Sequence, residues 1–274
     1  MPKVSIIIPV YNVRDRIVDS LDSVLAQTLD EVEVVLVDDH GADDSMAVIR
    51  QHLESYTGPK TFVYAETLVN AGPGAARNAG IRAATGEYIA FLDGDDTLDP
   101  DFCQALYEAA RKVDADMAFG HISFDMPDGT SVVKRNPAVT AGSFEGAAKR
   151  RYLRRFTSYF TTYLYRRTLL EDHDIVFPGT HSAEDSCFLI CCLLVARRIA
   201  SVDRALYHYA IQHDSVSRKR DPQRWKNRLA SLRRMVAFAR EKGCYRPYRG
   251  VIRLLVFKKG WLMAANDFLK NNLF

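Results

Sequence analysis

The chain of 274 residues has no apolar run of 18 residues, the length a helix needs to cross a bilayer. Its apolar opening, VSIIIPV from Val4 to Val10, is too short for a signal-peptide core and gives way at once to Tyr11 and Asn12. That stretch reads as a first strand, and the expectation is a cytosolic protein. Cysteine is scarce and odd in number: Cys103, Cys187, Cys191, Cys192 and Cys244 form no C-x-x-C pair and have no histidine beside them. Buried free thiols are therefore expected in place of a disulfide framework or a zinc site. Internal repeats and low-complexity stretches are missing, and so are the G-x-G-x-x-G and G-K-[ST] signatures of the Rossmann and Walker kinds.

What is present is an ordinary globular composition, 47% hydrophobic and 26% charged, enough for a sizeable core in one large domain with an appendage. The net charge of +3 conceals a division. From Arg218 onward there are 16 Lys and Arg against 3 Asp and Glu, and before it 21 against 31. The two parts face different partners.

Through the first 125 residues, short β-branched runs alternate with helical patterns. VSIIIPV, VEVVLVDD, TFVYAE, YIAFLD and MAFGHISFD read as strands, and RDRIVDSLDSVLAQT, DDSMAVIRQHLESY, GPGAARNAGIRAAT and PDFCQALYEAARKV as the helices between them. The alternation predicts an α/β fold with a mostly parallel sheet covered by helices on both faces. Farther on, MPDGT reads as a hairpin turn, SAEDSCFLICCLLVARR as a helix and RIASVDRALYHYA as a strand. Two helices are expected at about 221–242 and 247–271, broken at KGCYRP.

Ligands of such sheets bind beyond the carboxyl ends of the strands, and the polar clusters fall there. Asp38 and Asp39 end the second strand, Asn70 to Arg77 follow the third, and Asp93, Asp95 and Asp96 follow the fourth. Asp99 before Pro100 reads as an N-cap with proline at the first helical position.

Two carboxylates about 4 Å apart repel by roughly 4 kcal/mol at an effective dielectric near 20, so the D-G-D-D cluster needs solvent, a helix N-terminus or a cation. Oxygen-only ligands at this spacing suit Mg²⁺ or Mn²⁺, which take one or two protein carboxylates and complete their shell with water and phosphate oxygens. Alone, D-x-D-D also describes a solvated acidic turn. Its place after a buried strand, with a second Asp pair at another strand end, favours the metal and a phosphate-ester substrate.

NAGPGAARNAG places small residues at a helix start, where backbone N–H groups favour anions, and Arg77 adds a fixed positive charge. A helix packed closely through Gly and Ala is the alternative. Glu184 and Asp185 open the most apolar helix, either as dipole-compensating acids or as a general base aimed at an acceptor hydroxyl.

Taken together, PVYN after the first strand, VDD after the second, NAGPGAARNAG, LDGDD, AEDSCF and YHYAIQHDSVSR resemble the inverting glycosyltransferases of family 2 with a GT-A fold. The resemblance runs from Val4 to about Arg218. It implies a glycosyltransferase domain over 1–217, with a nucleotide-binding half at 1–125 and an acceptor-side half at 126–217, followed by a basic helical region at 218–274. By the resemblance, Pro9, Tyr11, Asn12, Asp39 and Arg77 hold the nucleotide of a UDP-sugar, with Asp39 accepting from uracil N3–H. Asp93 approaches the ribose, Asp95 binds the metal, Mn²⁺ or Mg²⁺, with Asp93 and His208 nearby, and Asp96 lies behind them. Asp185 deprotonates the acceptor hydroxyl, with Glu184 as its hydrogen-bonding neighbour. His208, Ser217 and Arg218 are candidate diphosphate contacts on a closing loop, whereas His208 on a plain strand would face solvent beside two core tyrosines; His213 is the weaker candidate. Two departures stand out: AED where many relatives have GED, and no lysine two residues before Tyr165.

The same resemblance, to bacterial capsule and lipopolysaccharide enzymes, implies transfer of a hexosyl or N-acetylhexosaminyl group to a glycan or lipid-linked glycan. The basic C-terminal region, with VIRLLVFKKGWLMAANDFLKNNLF, fits an amphipathic contact with the inner face of an anionic membrane, a packed surface helix or an oligomer contact. Nucleic acid is not expected, because no aromatic-interleaved binding module accompanies the charge. A sugar nucleotidyltransferase and a catalytically silent nucleotide-sugar-binding scaffold are the competing functions. The first lacks a basic glycine-rich loop near the N-terminus, and the second leaves Asp95 and Asp185 without a task.

Overall fold

A computed structural model describes residues 1–180, 182–211 and 223–262. The expected alternation is present: β1 (Val4–Val10), α1 (Ile17–Leu25), β2 (Val32–Asp38), α2 (Ser45–Leu53), β3 (Thr61–Glu66), α3 (Pro73–Ala83) and β4 (Tyr88–Phe91). There follow β5 (Thr97–Leu98), α4 (Phe102–Lys112), β6 (Met117–Asp125), β7 (Ser131–Lys134), β8 (Gly142–Ser143), α5 (Gly146–Leu153) and β9 (Tyr163–Arg166). The chain continues with α6 (Arg167–Asp172), α7 (Glu184–Val195), β10 (Arg198–Ala210), α8 (Arg224–Glu241) and α9 (Tyr245–Val256), then a π-helical turn, Phe257–Leu262.

The sheet runs β3-β2-β1-β4-β9-β6-β10-β5, with β7 beside β6 and β8 beside β10. β1 pairs in parallel with β2 and β4, β2 with β3, and β6 with β10. β9 is antiparallel to both β4 and β6, so β6 and β10 point the same way as the first four strands. Six strands thus share one direction, and their carboxyl ends define one rim. β9 is the seam, only four residues long, with Tyr163, Leu164 and Tyr165 fully buried.

The physical origin of the layering is plain in the sequence. β1, β2 and β4 are near-continuous apolar runs, buried on both faces. α1 turns Ile17, Leu21 and Val24 to one core, and α7 is apolar nearly all round and sits inside another. α3 approaches β1 so closely that a Cβ on Gly80 would stand 2.3 Å from Ile7 Cγ2. All five cysteines are free, four buried and Cys244 half-buried, as expected.

Three local differences from the sequence reading have physical reasons. α4 starts at Phe102, not Pro100, because Thr97–Leu98 pairs with β10 and the Asp99 N–H is taken by the Leu206 carbonyl; the Asp99 carboxylate instead accepts the Asp101 N–H at 3.0 Å. The short strands β5, β8 and β9 carry too few residues to show a period and were not expected. α9 begins at Tyr245, two residues earlier than anticipated, after Gly243 makes the break at φ +71°. α8 and α9, for which a packed surface helix was one of the expected alternatives, pack through Leu232, Met235, Ala239, Val251, Ile252 and Leu255 into the same apolar cluster as Ile7, Phe91 and Phe188. Among the described residues, no helix is long and apolar enough to cross a membrane.

Candidate active site

The expected residues at the strand ends occupy one rim. Pro9 is half-buried near the end of β1, Tyr11 is exposed, and Asn12, in the left-handed region at φ +53°, accepts the Ala42 N–H at 2.7 Å. A cavity of about 320 Å³ opens beside them, lined by Val10, Asn12, Asp38, His40, Asp43 and Ser45. Asp39 is buried, and its carboxylate receives Thr67 Oγ1 at 2.9 Å, the Ala71 N–H at 3.2 Å and the Gly72 N–H at 3.0 Å. A carboxylate has about four acceptor directions, and these donors among the described residues take three.

The Gly-rich segment opens α3 with Pro73 in its first turn. That helix start is already attended by carboxylates of the chain itself. Asp39 holds Ala71 and Gly72, and Glu184 lies so near that a Cβ on Gly74 would meet its Oε2 at 2.8 Å.

Arg77, from the second turn of α3, is the centre of the site. Nη2 donates to Asp93 Oδ1 at 2.7 Å, Nη1 donates to Asp185 Oδ1 at 3.2 Å, and Glu184 Oε1 is 3.9 Å away. The guanidinium lies over the Phe160 and Phe177 rings, 4.6 and 5.4 Å from their centroids. Its Nε, also buried, has no hydrogen-bond partner among the described residues. Burial works against its charge, but Asp93 and Asp185 outweigh that and raise its pKa above the ordinary arginine value. Arg77 therefore lies between the carboxylates at the end of β4 and those at the start of α7.

Behind the D-G-D-D turn, Tyr207 on β10 receives the Asp93 N–H at 3.3 Å and donates to Asp96 Oδ2 at 2.7 Å. The Ala210 N–H donates to Asp96 Oδ1 at 3.0 Å, so Asp96 ties this turn to the end of β10. Burial, then the charge of Asp93, pushes the Asp96 carboxyl up to about 8, with Asp95 adding to the effect. Charge crowding of this kind is what a divalent cation relieves, and the donor set is all carboxylate oxygen. Among the described residues no three His, Cys, Asp or Glu side chains gather into a cage. One or two carboxylates plus phosphate oxygens is nonetheless a normal Mg²⁺ or Mn²⁺ shell, so Asp95 and Asp93 fit such an ion.

His208 does not join them. Successive strand side chains face opposite ways, and with Tyr207 on the turn, His208 puts Nδ1 2.9 Å from Asp125 Oδ2. Ser217, Arg218 and His213 lie outside the described residues.

At the entrance to α7, Ala183 carries φ +59°, a left-handed conformation that glycine adopts more readily than alanine. Glu184 and Asp185 then form the first turn of α7. The Asp185 side chain is 46% exposed, so a hydroxyl can reach it, while the surrounding protein still raises its pKa by desolvation against the pull of Arg77. Glu184 is more enclosed and is pushed up to about 8, first by burial and then by Asp185. Tyr163, two residues before Tyr165, is buried and hydrogen-bonded to the Tyr152 hydroxyl at 2.6 Å.

Three contributors escape sequence reading. Asn78 donates to the Phe177 carbonyl at 2.9 Å and accepts the Phe177 N–H at 2.8 Å, pinning the loop before α7 to α3. Phe160 and Phe177 lie beneath Arg77. The N-A-G ending of the Gly-rich motif was a cue for Asn78; nothing in the sequence distinguishes the two phenylalanines from other core aromatics.

A family model described as glycosyl transferase family 2 matches residues 5–174. The chain belongs to this family. EpsH of Bacillus subtilis is 29% identical over 274 residues, 97% of this chain and 77% of that protein. Several further relatives are longer, and the chain spans 32% to 63% of their lengths. Among solved structures, Staphylococcus aureus TarS 1–349 in complex with UDP-GlcNAc superposes with a TM-score of 0.73 at 23% identity, covering 93% of this chain and 72% of that one. The mannosyltransferase PcManGT of Pyrobaculum calidifontis, in complex with GDP-Man and Mn²⁺, gives 0.60 at 19% identity, covering 97% and 74%. The fold is the GT-A fold, and the family 2 match spans Pro9, Tyr11, Asn12, Asp39, Arg77, Asp93 and Asp95 but ends before Glu184 and Asp185.

Proposed function

We propose that the protein transfers a sugar from a UDP-linked donor to a hydroxyl of a glycan or lipid-linked acceptor in bacterial surface polysaccharide synthesis. The observation that carries this reading is the Arg77 bridge, which holds Asp93 of the D-G-D-D turn and Asp185 of α7 in one crevice. The UDP-GlcNAc complex of TarS supports the donor class.

In this reading Pro9, Tyr11 and Asn12 flank the nucleotide, and the fourth acceptor direction of Asp39 receives the N3–H of uracil. Asp95, with Asp93, would hold Mn²⁺ or Mg²⁺, which when bound neutralises charge developing on the departing diphosphate. Asp185 accepts the proton of the acceptor hydroxyl as that oxygen attacks the anomeric carbon opposite the diphosphate, a single displacement with inversion. Desolvation makes Asp185 a stronger base, while the charge of Arg77 favours its carboxylate form. Glu184, with its carboxyl near 8, keeps its proton at neutral pH and leaves that task to Asp185.

The test is a panel of nucleotide sugars incubated with Mn²⁺, with and without EDTA, with the released nucleotide identified. Free nucleoside diphosphate from one UDP-sugar, lost with EDTA, is the expected result. Release of pyrophosphate would indicate nucleotidyl transfer, and UDP binding without any release, across a range of glycan acceptors, would indicate a silent scaffold.

A further inference from the structure

The basic C-terminal region was singled out by its charge, but its buried polar groups lead elsewhere. Ser231 of α8 is fully buried. Its hydroxyl donates to the Ser182 carbonyl at 2.8 Å and is also hydrogen-bonded to Thr180 Oγ1. Lys259, from the π-helical turn after α9, donates to Ser186 Oγ at 3.2 Å and to Ser158 Oγ, with Nζ 5.6 Å from the Phe156 ring centroid. Burial pushes the Lys259 ammonium down to about 8, a cost that its two hydroxyl partners offset in part.

Ser182 and Ser186 stand on either side of Ala183, Glu184 and Asp185. One lies just before the left-handed residue, the other just after the candidate base. A non-glycine residue in that conformation persists only where its surroundings over-determine it. Here a hydrogen bond on each flank comes from far later in the chain, the Ser231 and Lys259 bonds spanning 49 and 73 positions. A general base also has to stay within hydrogen-bond reach of its proton.

We propose that Ser231 and Lys259 are positioning residues that clamp the Ser182–Ser186 turn and so hold Asp185 towards the acceptor. The C-terminal helices are then part of the transfer machinery and not an appendage. The inference rests on Asp185 being the base, and its test has one arm that does not.

The full chain is compared as Ser231→Ala, Ser186→Ala, Lys259→Met and Lys259→Arg. In the first arm, amide hydrogen exchange is followed in peptides covering 180–187 and, as control, 88–96. The first three variants are expected to exchange about 10-fold faster in 180–187 alone, with Lys259→Arg close to wild type. In the second arm, release of UDP from the UDP-sugar that the wild type turns over is measured; kcat is expected to fall about 10- to 100-fold with donor KM held within about twofold, and Lys259→Arg to recover most of it. Unchanged exchange in 180–187, or kcat lost equally in Lys259→Arg and Lys259→Met, would overturn the proposal. Ser186→Ala and Ser231→Ala decide it if Lys259→Met unfolds. If the wild type turns over no nucleotide sugar, the functional reading fails, and the exchange arm still decides the clamp.

Discussion

Arg77 Nη1 stands 3.2 Å from Asp185 Oδ1, across 108 positions of sequence. One guanidinium so placed orients the candidate base and, through Nη2, the first carboxylate of the D-G-D-D turn. A lysine has a single nitrogen and cannot bridge both.

Arg77→Lys is therefore expected to keep the charge and lose the bridge. Turnover should fall by about 10- to 100-fold, as for other misplaced catalytic groups, and UDP affinity should fall less. Steady-state kinetics with calorimetry on the same preparations checks this.

Asp95→Ala is expected to abolish the Mn²⁺-dependent part of donor affinity. Titrating UDP into wild type and variant, with Mn²⁺ and with EDTA, separates the two contributions. An Mn²⁺ effect that survives in the variant would remove Asp95 from the metal site.

The Glu184 carboxyl titrates near 8 in the folded chain and near 4.5 when unfolded. Between those values the folded state binds the extra proton, so Glu184 stabilises the fold at low pH and loses that contribution as pH rises towards about 8. Glu184→Gln should flatten this part of the stability profile, read by urea unfolding at pH 5 to 9. At pH 7 its turnover should stay within about threefold of wild type, because a protonated Glu and a Gln carry the same charge.

Ala183 holds a conformation that costs an L-residue about 1 to 2 kcal/mol. Ala183→Gly removes that strain and adds chain entropy to the unfolded state, for a net gain of about 0.5 to 1 kcal/mol. Gly80→Ala should do the opposite. Its Cβ would meet Ile7 Cγ2 at 2.3 Å between α3 and β1, and overpacking of this kind costs about 1 to 3 kcal/mol. Urea unfolding of both variants measures the two effects.

The parallel half of the sheet was legible because each buried strand is a short apolar run ended by turn residues, and β1, β3 and β6 match their expected bounds. β9 was not, since four residues show no period, yet this strand joins the two halves. At the site, the carboxylates announced themselves by position at strand ends. Their partners did not. Tyr207 reads as a core tyrosine until its hydroxyl is seen between the Asp93 N–H and Asp96. His208, one residue on, reads as the more chemical of the two and in fact pairs with Asp125 on the other face. Hydrogen bonds such as that of Lys259 to Ser186 depend on packing across 73 positions, which no local pattern encodes.

The most direct measurement compares wild type and Asp185→Asn for release of UDP from a UDP-sugar and for UDP affinity, side by side. If Asp185 is the base, release falls by at least about 100-fold while UDP affinity is unchanged. Release that continues in Asp185→Asn at a rate near wild type would contradict the assignment of the base and, with it, the crevice organised by Arg77.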